Sequence, residues 1–194
     1  MIAIIEYNAG NVQSVQFALQ RLGVDAIITG NEEEIRRADK VIFPGVGHAQ
    51  TAMKYLRAHK LDTVISSLTQ PVLGICLGMQ LLCKYSEEGD TTCLGIFDAK
   101  VKRFQSNIEK IPQIGWNNIY DYKSVLFDGL EPDAFVYTVH SYYAAVSNDT
   151  VAKTNYILPY SAALQKDNFY AVQFHPEKSG SVGETILKNF ISLP

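Results

Sequence analysis

The sequence predicts an α/β fold: a central, mostly parallel sheet with helices on both faces, extended by antiparallel strands in its C-terminal half. Three observations carry this. As far as Gly95, short apolar runs suited to buried strands alternate with segments of helical spacing. Turn residues, mostly Gly, Pro and Asn, punctuate these segments. Beyond Gly95 the segments become short, β-rich and closely punctuated.

The first strand is "IAIIEY", ending in the turn "NAGN". Val12, Val15, Leu19 and Leu22 then recur at helical spacing, and Gly23 stops that helix. "DAIIT" is a second strand. "NEEEIRRAD" opens on Asn31 as an N-cap, with acidic residues in the first turn, where the helix dipole favours them. "KVIFPGVG" is a third strand ending in a Pro/Gly loop. "AQTAMKYLRAHKL" and "LDTVISSL" are helical, "PVLGIC" is the fourth strand, and "LGMQLLCKYS" is a helix. "AKVKRF", "WNNIYDY", "FVYTVHSYY", "TVAKTNY", "SAALQKD" and "FYAVQF" read as antiparallel strands added to the sheet or laid beside it. "VGETILKNFISL" closes the chain as an amphipathic helix. With no repeat, linker or low-complexity segment, residues 1–194 read as one domain, a three-layer sandwich of the flavodoxin-like kind.

The totals suit a cytoplasmic globular protein. The chain has 194 residues, 47% hydrophobic and 19% charged, enough for a full core. A net charge of −3 gives no basic footprint for nucleic acid or an anionic membrane. No apolar run approaches the roughly 20 residues that span a bilayer, and "MIAIIEYNAG" lacks the basic region and cleavage site of a signal peptide. Cys76, Cys83 and Cys93 lack CxxC spacing, so they read as reduced thiols, with no metal or other cofactor implied.

The chemistry centres on "LGICLGMQ". Cys76 stands at the carboxyl end of a strand, with a helix starting immediately after it, the place where parallel sheets bind ligands. Its frame, Gly74-x-Cys76-x-Gly78, is the nucleophile elbow with sulfur in place of oxygen. So sharp a turn brings backbones into contact, which requires small residues two places before and after. A helix N-terminus favours the thiolate, and the Leu77 N–H, expected free as first-turn N–H groups are, can donate to a developing oxyanion. A buried core cysteine is the alternative. Cys83 and Cys93 lack the glycine frame and read as packing.

A thiol nucleophile needs a base held by a third group. His59 reads as a solvated surface residue, His48 as the start of a helix, and His140 as part of an aromatic strand. His175, in "AVQFHPEKSG", is the best candidate. Pro176 keeps it extended, and Glu177, two residues on, can turn toward the imidazole, fix its tautomer and stabilise its charged form. A solvated "HPEK" turn is the alternative. "FPGVG", with Gly45 and Gly47 freeing the backbone, is the candidate for a second oxyanion donor.

Together these segments resemble the class I glutamine amidotransferases. "EYNAGN", "FPGVGHAQTAM", "LGICLGMQLL", "SEEG", "IPQIGWN", "VHSYY" and "QFHPEKSG" stand in the order found in one branch of that family, the glutaminase subunits of imidazole glycerol phosphate synthases. The likeness covers essentially the whole chain. The cysteine elbow and "HPE" are shared across the family, whereas "PGVG" followed by "AM", "PQIGWN" and "HPEKSG" mark the branch.

The resemblance implies roles. Cys76 attacks the side-chain amide of glutamine, His175 passes a proton to the leaving ammonia, and Glu177 orients His175. Leu77 N–H and a peptide of the Val46–Gly47 loop hold the oxyanion. Gln80 and Glu88 hold the α-amino end of the substrate, and the backbone of Ser141 and Tyr142 adds a further contact. Read without the resemblance, Gln80 is a helix-surface glutamine and Glu88 a loop carboxylate. Ammonia needs an acceptor, and "NAGNVQS" is not a phosphate loop, so the acceptor site belongs on another chain. The resemblance implies a (β/α)8-barrel cyclase subunit, in a heterodimer that makes imidazole glycerol phosphate and aminoimidazole carboxamide ribotide for histidine biosynthesis. Trp116, the only tryptophan, would anchor it. Tyr137 and Lys178 would stand at the ammonia exit, with Asn11 and Gln113 at the same interface. The glycine-flanked peptide of "FPGVG" predicts a subunit nearly inactive until its liganded partner turns that peptide.

Three rivals share parts of this pattern. Another synthase's amidotransferase subunit, for anthranilate, carbamoyl phosphate or guanylate, would keep the triad but lack "PQIGWN". A stand-alone cysteine hydrolase of γ-glutamyl substrates would need no partner. A non-catalytic flavodoxin-like binding subunit would leave Cys76 unreactive toward a diazo-ketone analogue of glutamine.

Overall fold

The computed structural model describes residues 1–8 and 11–194. Ala9 and Gly10, the middle of the "NAGN" turn read from the sequence, lie outside the described residues. The first half alternates as the apolar runs predict: β1 (Ile2–Ile5), α1 (Val12–Arg21), β2 (Ala26–Thr29), α2 (Glu32–Arg37), β3 (Lys40–Phe43), α3 (Ala49–Ala58), α4 (Leu61–Ser66), β4 (Val72–Ile75) and α5 (Leu77–Leu82). The second half is β-rich: β5 (Cys83–Ser86), β6 (Thr91–Thr92), β7 (Phe97–Arg103), β8 (Gln113–Asn118), β9 (Phe135–His140), β10 (Tyr142–Ala144), β11 (Thr150–Tyr156), β12 (Leu158–Lys166) and β13 (Phe169–Val172), before α6 (Gly180–Ile191).

The central sheet has seven strands in the order β11-β12-β13-β4-β3-β1-β2. The five from β13 to β2 are parallel, and β12 and β11 extend them antiparallel; "FYAVQF", read from the sequence as antiparallel, is β13 and runs parallel to β4. The sheet's inner strands β1, β3 and β4 are buried on both faces, as continuous apolar runs require. In β1, Ala3 and Ile5 join a core under α2 to α5, while Ile2 and Ile4 join a second core under α1 and α6. That alternation makes the three layers. Local chemistry sets the ends. Asn31 caps α2, its side chain accepting from Glu34 N–H at 3.1 Å, and Gly23 follows α1 with φ +76°.

Not all of the β-rich half joins this sheet. Four strands form a second sheet, β10-β7-β5-β6, and β8 and β9 form a hairpin of their own. The segment "LGMQLLCKYS" is not one helix. It is helical only to Leu82, and Cys83–Ser86 then pairs with β7, Cys83 opposite Phe97. Burial of Cys83 and Ser86, three apart, fits a helix as well as it fits this short strand, and only the distant partner decides. "WNNIYDY" is displaced too, its strand running from Gln113 to Asn118. Among the described residues no helix is long and apolar enough to cross a membrane.

The feature that positions the site is the pairing of β4 with β13 inside the sheet. Gly74 lies opposite Ala171 and Ile75 opposite Val172, with both strands running the same way. "LGIC" and "AVQFHPE" therefore leave the sheet side by side at the same carboxyl edge.

Candidate active site

Cys76 sits between β4 and α5 with φ 54° and ψ −108°, a conformation that L residues rarely adopt. The glycines make this turn possible. A Cβ on Gly78 would collide with the Phe43 carbonyl oxygen, and one on Gly74 would come within 2.7 Å of Leu82 Cδ1 and 3.1 Å of Met79 N. The cysteine N–H is satisfied by the Val172 carbonyl at 2.9 Å. Its sulfur lies 3.8 Å from Gln173 Nε2 and 4.0 Å from the Val139 carbonyl.

His175 leaves β13 extended, with φ −101°, and Pro176 starts a single 3-10 turn over Pro176–Lys178. The turn swings Glu177 back, so that its Oε1 lies 2.8 Å from His175 Nδ1. Both side chains are buried. Burial works against an imidazolium here, but the Cys76 sulfur and the Glu177 carboxylate outweigh it and push His175 up to about 10. Nδ1 is thus fixed on the carboxylate, while Nε2 is buried with no hydrogen-bond partner among the described residues. The Cys76 sulfur is thus one of the two groups whose charge favours the imidazolium.

A cavity of about 300 Å³ opens onto Cys76. It is lined by Val46, Gly47, Leu77, Gln80, Glu88, Ser141 and Tyr142, by His140, weighed from the sequence only as a base, and by Pro112 and Val139, which the sequence did not nominate. Within it one expectation needs correction. The Leu77 N–H is not free: it donates to the Gly45 carbonyl at 3.2 Å. The loop after β3 lies tight on the elbow because Gly45 and Gly78 have no side chains, so a carbonyl 32 positions away supplies the acceptor. Gln80 is not on a helix surface. It is buried, and its amide N–H groups bridge the Tyr142 carbonyl and Gln173 Oε1, each at 3.0 Å. Glu88 accepts from the N–H of Ala49 at the start of α3 at 2.7 Å, where the helix dipole favours a carboxylate.

The interface group divides by register. In the β8–β9 hairpin, Trp116 pairs with Tyr137 and Gln113 with His140. Paired residues share a face, so Gln113 and His140 point inward and Trp116 and Tyr137 outward. Gln113 is therefore buried rather than interfacial, 2.8 Å from the hydroxyl of Tyr160, which also lies 3.1 Å from His140 Nε2. Trp116 is 57% exposed and meets the half-buried Tyr137 edge-on. Lys178 is exposed. Asn11 is half-buried and donates to Glu177 Oε1 at 2.6 Å, so it belongs to the His175–Glu177 cluster. Of the other histidines, His48 precedes α3, as expected, and His59 is exposed, 2.9 Å from the Tyr55 carbonyl.

Gln173 was missed. It is 1% exposed, touches the sulfur and receives Gln80. Its position two residues before His175 in "AVQFH" could have revealed it, since extended residues two apart share a face.

The chain is 60% identical to "Imidazole glycerol phosphate synthase subunit HisH" of Bacteroides fragilis, over 99% of both chains. It is 46% identical to the protein of the same name from Haemophilus influenzae, over 98% of this chain and 96% of that one. Among solved structures, a putative GMP synthase subunit from Thermoplasma acidophilum matches with TM-score 0.77 and 22% identity, over 98% of this chain and 92% of that one, a likeness of fold. The model of the family "Glutamine amidotransferase class-I" matches residues 3–193. By a match of that extent, and by relatives this similar along their whole length, the chain belongs to the class I glutamine amidotransferase family.

Proposed function

We propose that this chain, acting as one domain over residues 1–194, is the glutaminase subunit of an imidazole glycerol phosphate synthase. The observation that carries the chemistry is the buried Glu177–His175 pair beside the Cys76 sulfur at the mouth of a cavity. Full-length relatives of that name carry the pathway.

The Cys76 thiolate attacks the amide carbon of glutamine, and the carbonyl electron pair moves onto oxygen. His175, charged and held by Glu177, gives its proton to the amide nitrogen. The C–N bond breaks, releasing ammonia and leaving a glutamyl thioester. Water, losing a proton to His175, then attacks the thioester and frees glutamate and the thiolate. The oxyanion is held by the N–H of Leu77 and a peptide N–H of the Val46–Gly47 loop, each worth roughly 100- to 1000-fold in rate. The Leu77 N–H is spent on Gly45 in the resting chain, so the loop must move before the hole exists. Partner-dependent activation follows from that. An α-ammonium group needs acceptors, which Glu88 and the amide oxygen of Gln80 provide. The Ser141–Tyr142 backbone completes the contact.

The partner is a (β/α)8 cyclase subunit, which takes the ammonia before protonation. Ile114, Trp116 and Phe135, each at least 57% exposed, form an apolar face on the hairpin. The backbone of this hairpin joins the catalytic turn directly, since the His175 N–H donates to the Tyr137 carbonyl at 2.9 Å. Tyr137 and Lys178 flank the exit, and the enzyme works in the cytoplasm without a cofactor.

The test combines the chain with the cyclase and its ribotide. Glutamine-driven synthesis should vanish in Cys76→Ala, while synthesis from added ammonium salts persists. Equal glutamine-driven rates in both proteins would refute the reading.

A further inference from the structure

Tyr7 carries a hydroxyl that the described residues leave unused at rest. The residue follows β1, is 1% exposed, and stacks its ring at a tilt on Phe43 with centroids 5.1 Å apart. Its Oη is buried and, among the described residues, has no hydrogen-bond partner. Buried hydroxyls are almost always paired, so an exception calls for a reason. A phenylalanine would fill the same space without stranding a polar atom. Burial, reinforced by the neighbouring Cys76, keeps the phenol protonated well above its ordinary range, so it remains a donor.

The hydroxyl is aimed at the oxyanion loop. A Cβ placed on Gly45 would strike Tyr7 Oη before any other atom, with Leu77 Cβ and the Gly78 nitrogen next at 3.1 and 3.3 Å. Gly45, Tyr7 and the first turn of α5 are thus in mutual contact. The Gly45 carbonyl is the acceptor that occupies the Leu77 N–H. Releasing that N–H leaves the carbonyl of a buried residue without a donor, a penalty that would hold the loop in its resting state.

Resting on the function proposed above, we infer that Tyr7 is a positioning residue of the oxyanion loop: its hydroxyl takes over the Gly45 carbonyl when the loop turns, and so frees the Leu77 N–H for the tetrahedral intermediate. One unpaired donor is exchanged for another. At rest the Tyr7 hydroxyl is unsatisfied and Leu77 is bonded; in the working state Tyr7 is bonded and Leu77 faces the substrate oxygen. No covalent step is involved.

The experiment compares native chain, Tyr7→Phe and Cys76→Ala, each bound to the synthase partner. Tyr7→Phe should lower kcat for glutamine hydrolysis about 10- to 100-fold, the size expected for one buried carbonyl left unpaired. KM should stay within about twofold, and synthesis from ammonium salts should be unchanged. The melting temperature of the free variant should equal or exceed that of the native chain, because a stranded hydroxyl has been removed. A structure of the native complex trapped with a diazo-ketone glutamine analogue should place Tyr7 Oη within hydrogen-bond distance of the Gly45 oxygen. An unchanged kcat, or a fall in kcat that travels with a lower melting temperature or failure to fold, would overturn the inference. A native complex without Cys76-dependent hydrolysis would overturn the proposed function first, and this inference with it.

Discussion

The N–H of Cys76 donates to the carbonyl of Val172 at 2.9 Å. This bond carries the parallel pairing of β4 and β13 one residue past Ile75, so the sulfur emerges beside Gln173, with His175 two residues further on. Two segments separated by about half the chain are thus registered by backbone hydrogen bonding before any side chain acts.

The glycine frame of the elbow should be measurable as stability. Gly78→Ala places a methyl group against the Phe43 carbonyl inside the packed core. The expected cost is about 3 kcal/mol or more by urea unfolding. Gly23→Ala meets nothing within 4 Å but must keep φ +76°, and should cost only about 1 to 2 kcal/mol. Similar costs at the two sites would contradict the steric account.

Glu177→Gln removes the charge that stabilises the His175 imidazolium, and kcat for glutamine hydrolysis should fall about 100-fold or more. The folded pKa of His175, about 10, lies above the ordinary 6.5. The stabilisation this group gives is therefore complete below pH 6.5 and fades as pH rises through about 10. The variant should show a lower His175 pKa by NMR titration and a flatter loss of stability across that window. An unmoved imidazole titration would remove Glu177 from the triad.

His140 should act in the opposite sense. Burial, partly countered by its hydrogen bond to Tyr142 and reinforced by nearby His175, lowers it to about 4. A group whose charged form is disfavoured in the fold costs stability as it protonates. Stability should decline as pH falls from 6.5 through about 4, by on the order of 3 kcal/mol. His140→Gln should flatten that decline in urea titrations at successive pH values. An equally steep decline in the variant would assign the acid sensitivity to another group.

Trp116→Ala should leave the fold nearly untouched, since the side chain is 57% exposed. Affinity for the cyclase partner should nevertheless weaken about 30-fold or more, as for a central aromatic anchor. Calorimetric titration of the two proteins would measure it, and an unchanged Kd would move the docking face elsewhere.

The sequence displayed what depends on local steric rules. Strand–helix alternation, the Gly74-x-Cys76-x-Gly78 frame and the i, i+2 relation of His175 to Glu177 are all written within a few residues. What it hid depends on partners far along the chain. The Leu77 N–H looked free because its acceptor lies in the loop after β3. Gln80 and Gln113 looked accessible because glutamine usually is, but each is buried in a polar network with distant segments. Cys83–Ser86 looked helical because four residues cannot distinguish the two periods and the pairing strand β7 lay further on. Nothing local to Asn11 reveals that Glu177, 166 positions later, takes its amide.

The central claim is that Cys76 is the nucleophile, activated by His175. Its most direct test is mass spectrometry of the partner-bound chain after treatment with a diazo-ketone analogue of glutamine. The account predicts one equivalent of covalent label, located on Cys76, blocked by excess glutamine and strongly slowed in His175→Ala. Label on Cys83 or Cys93, or labelling of Cys76 at the same rate without His175, would contradict it.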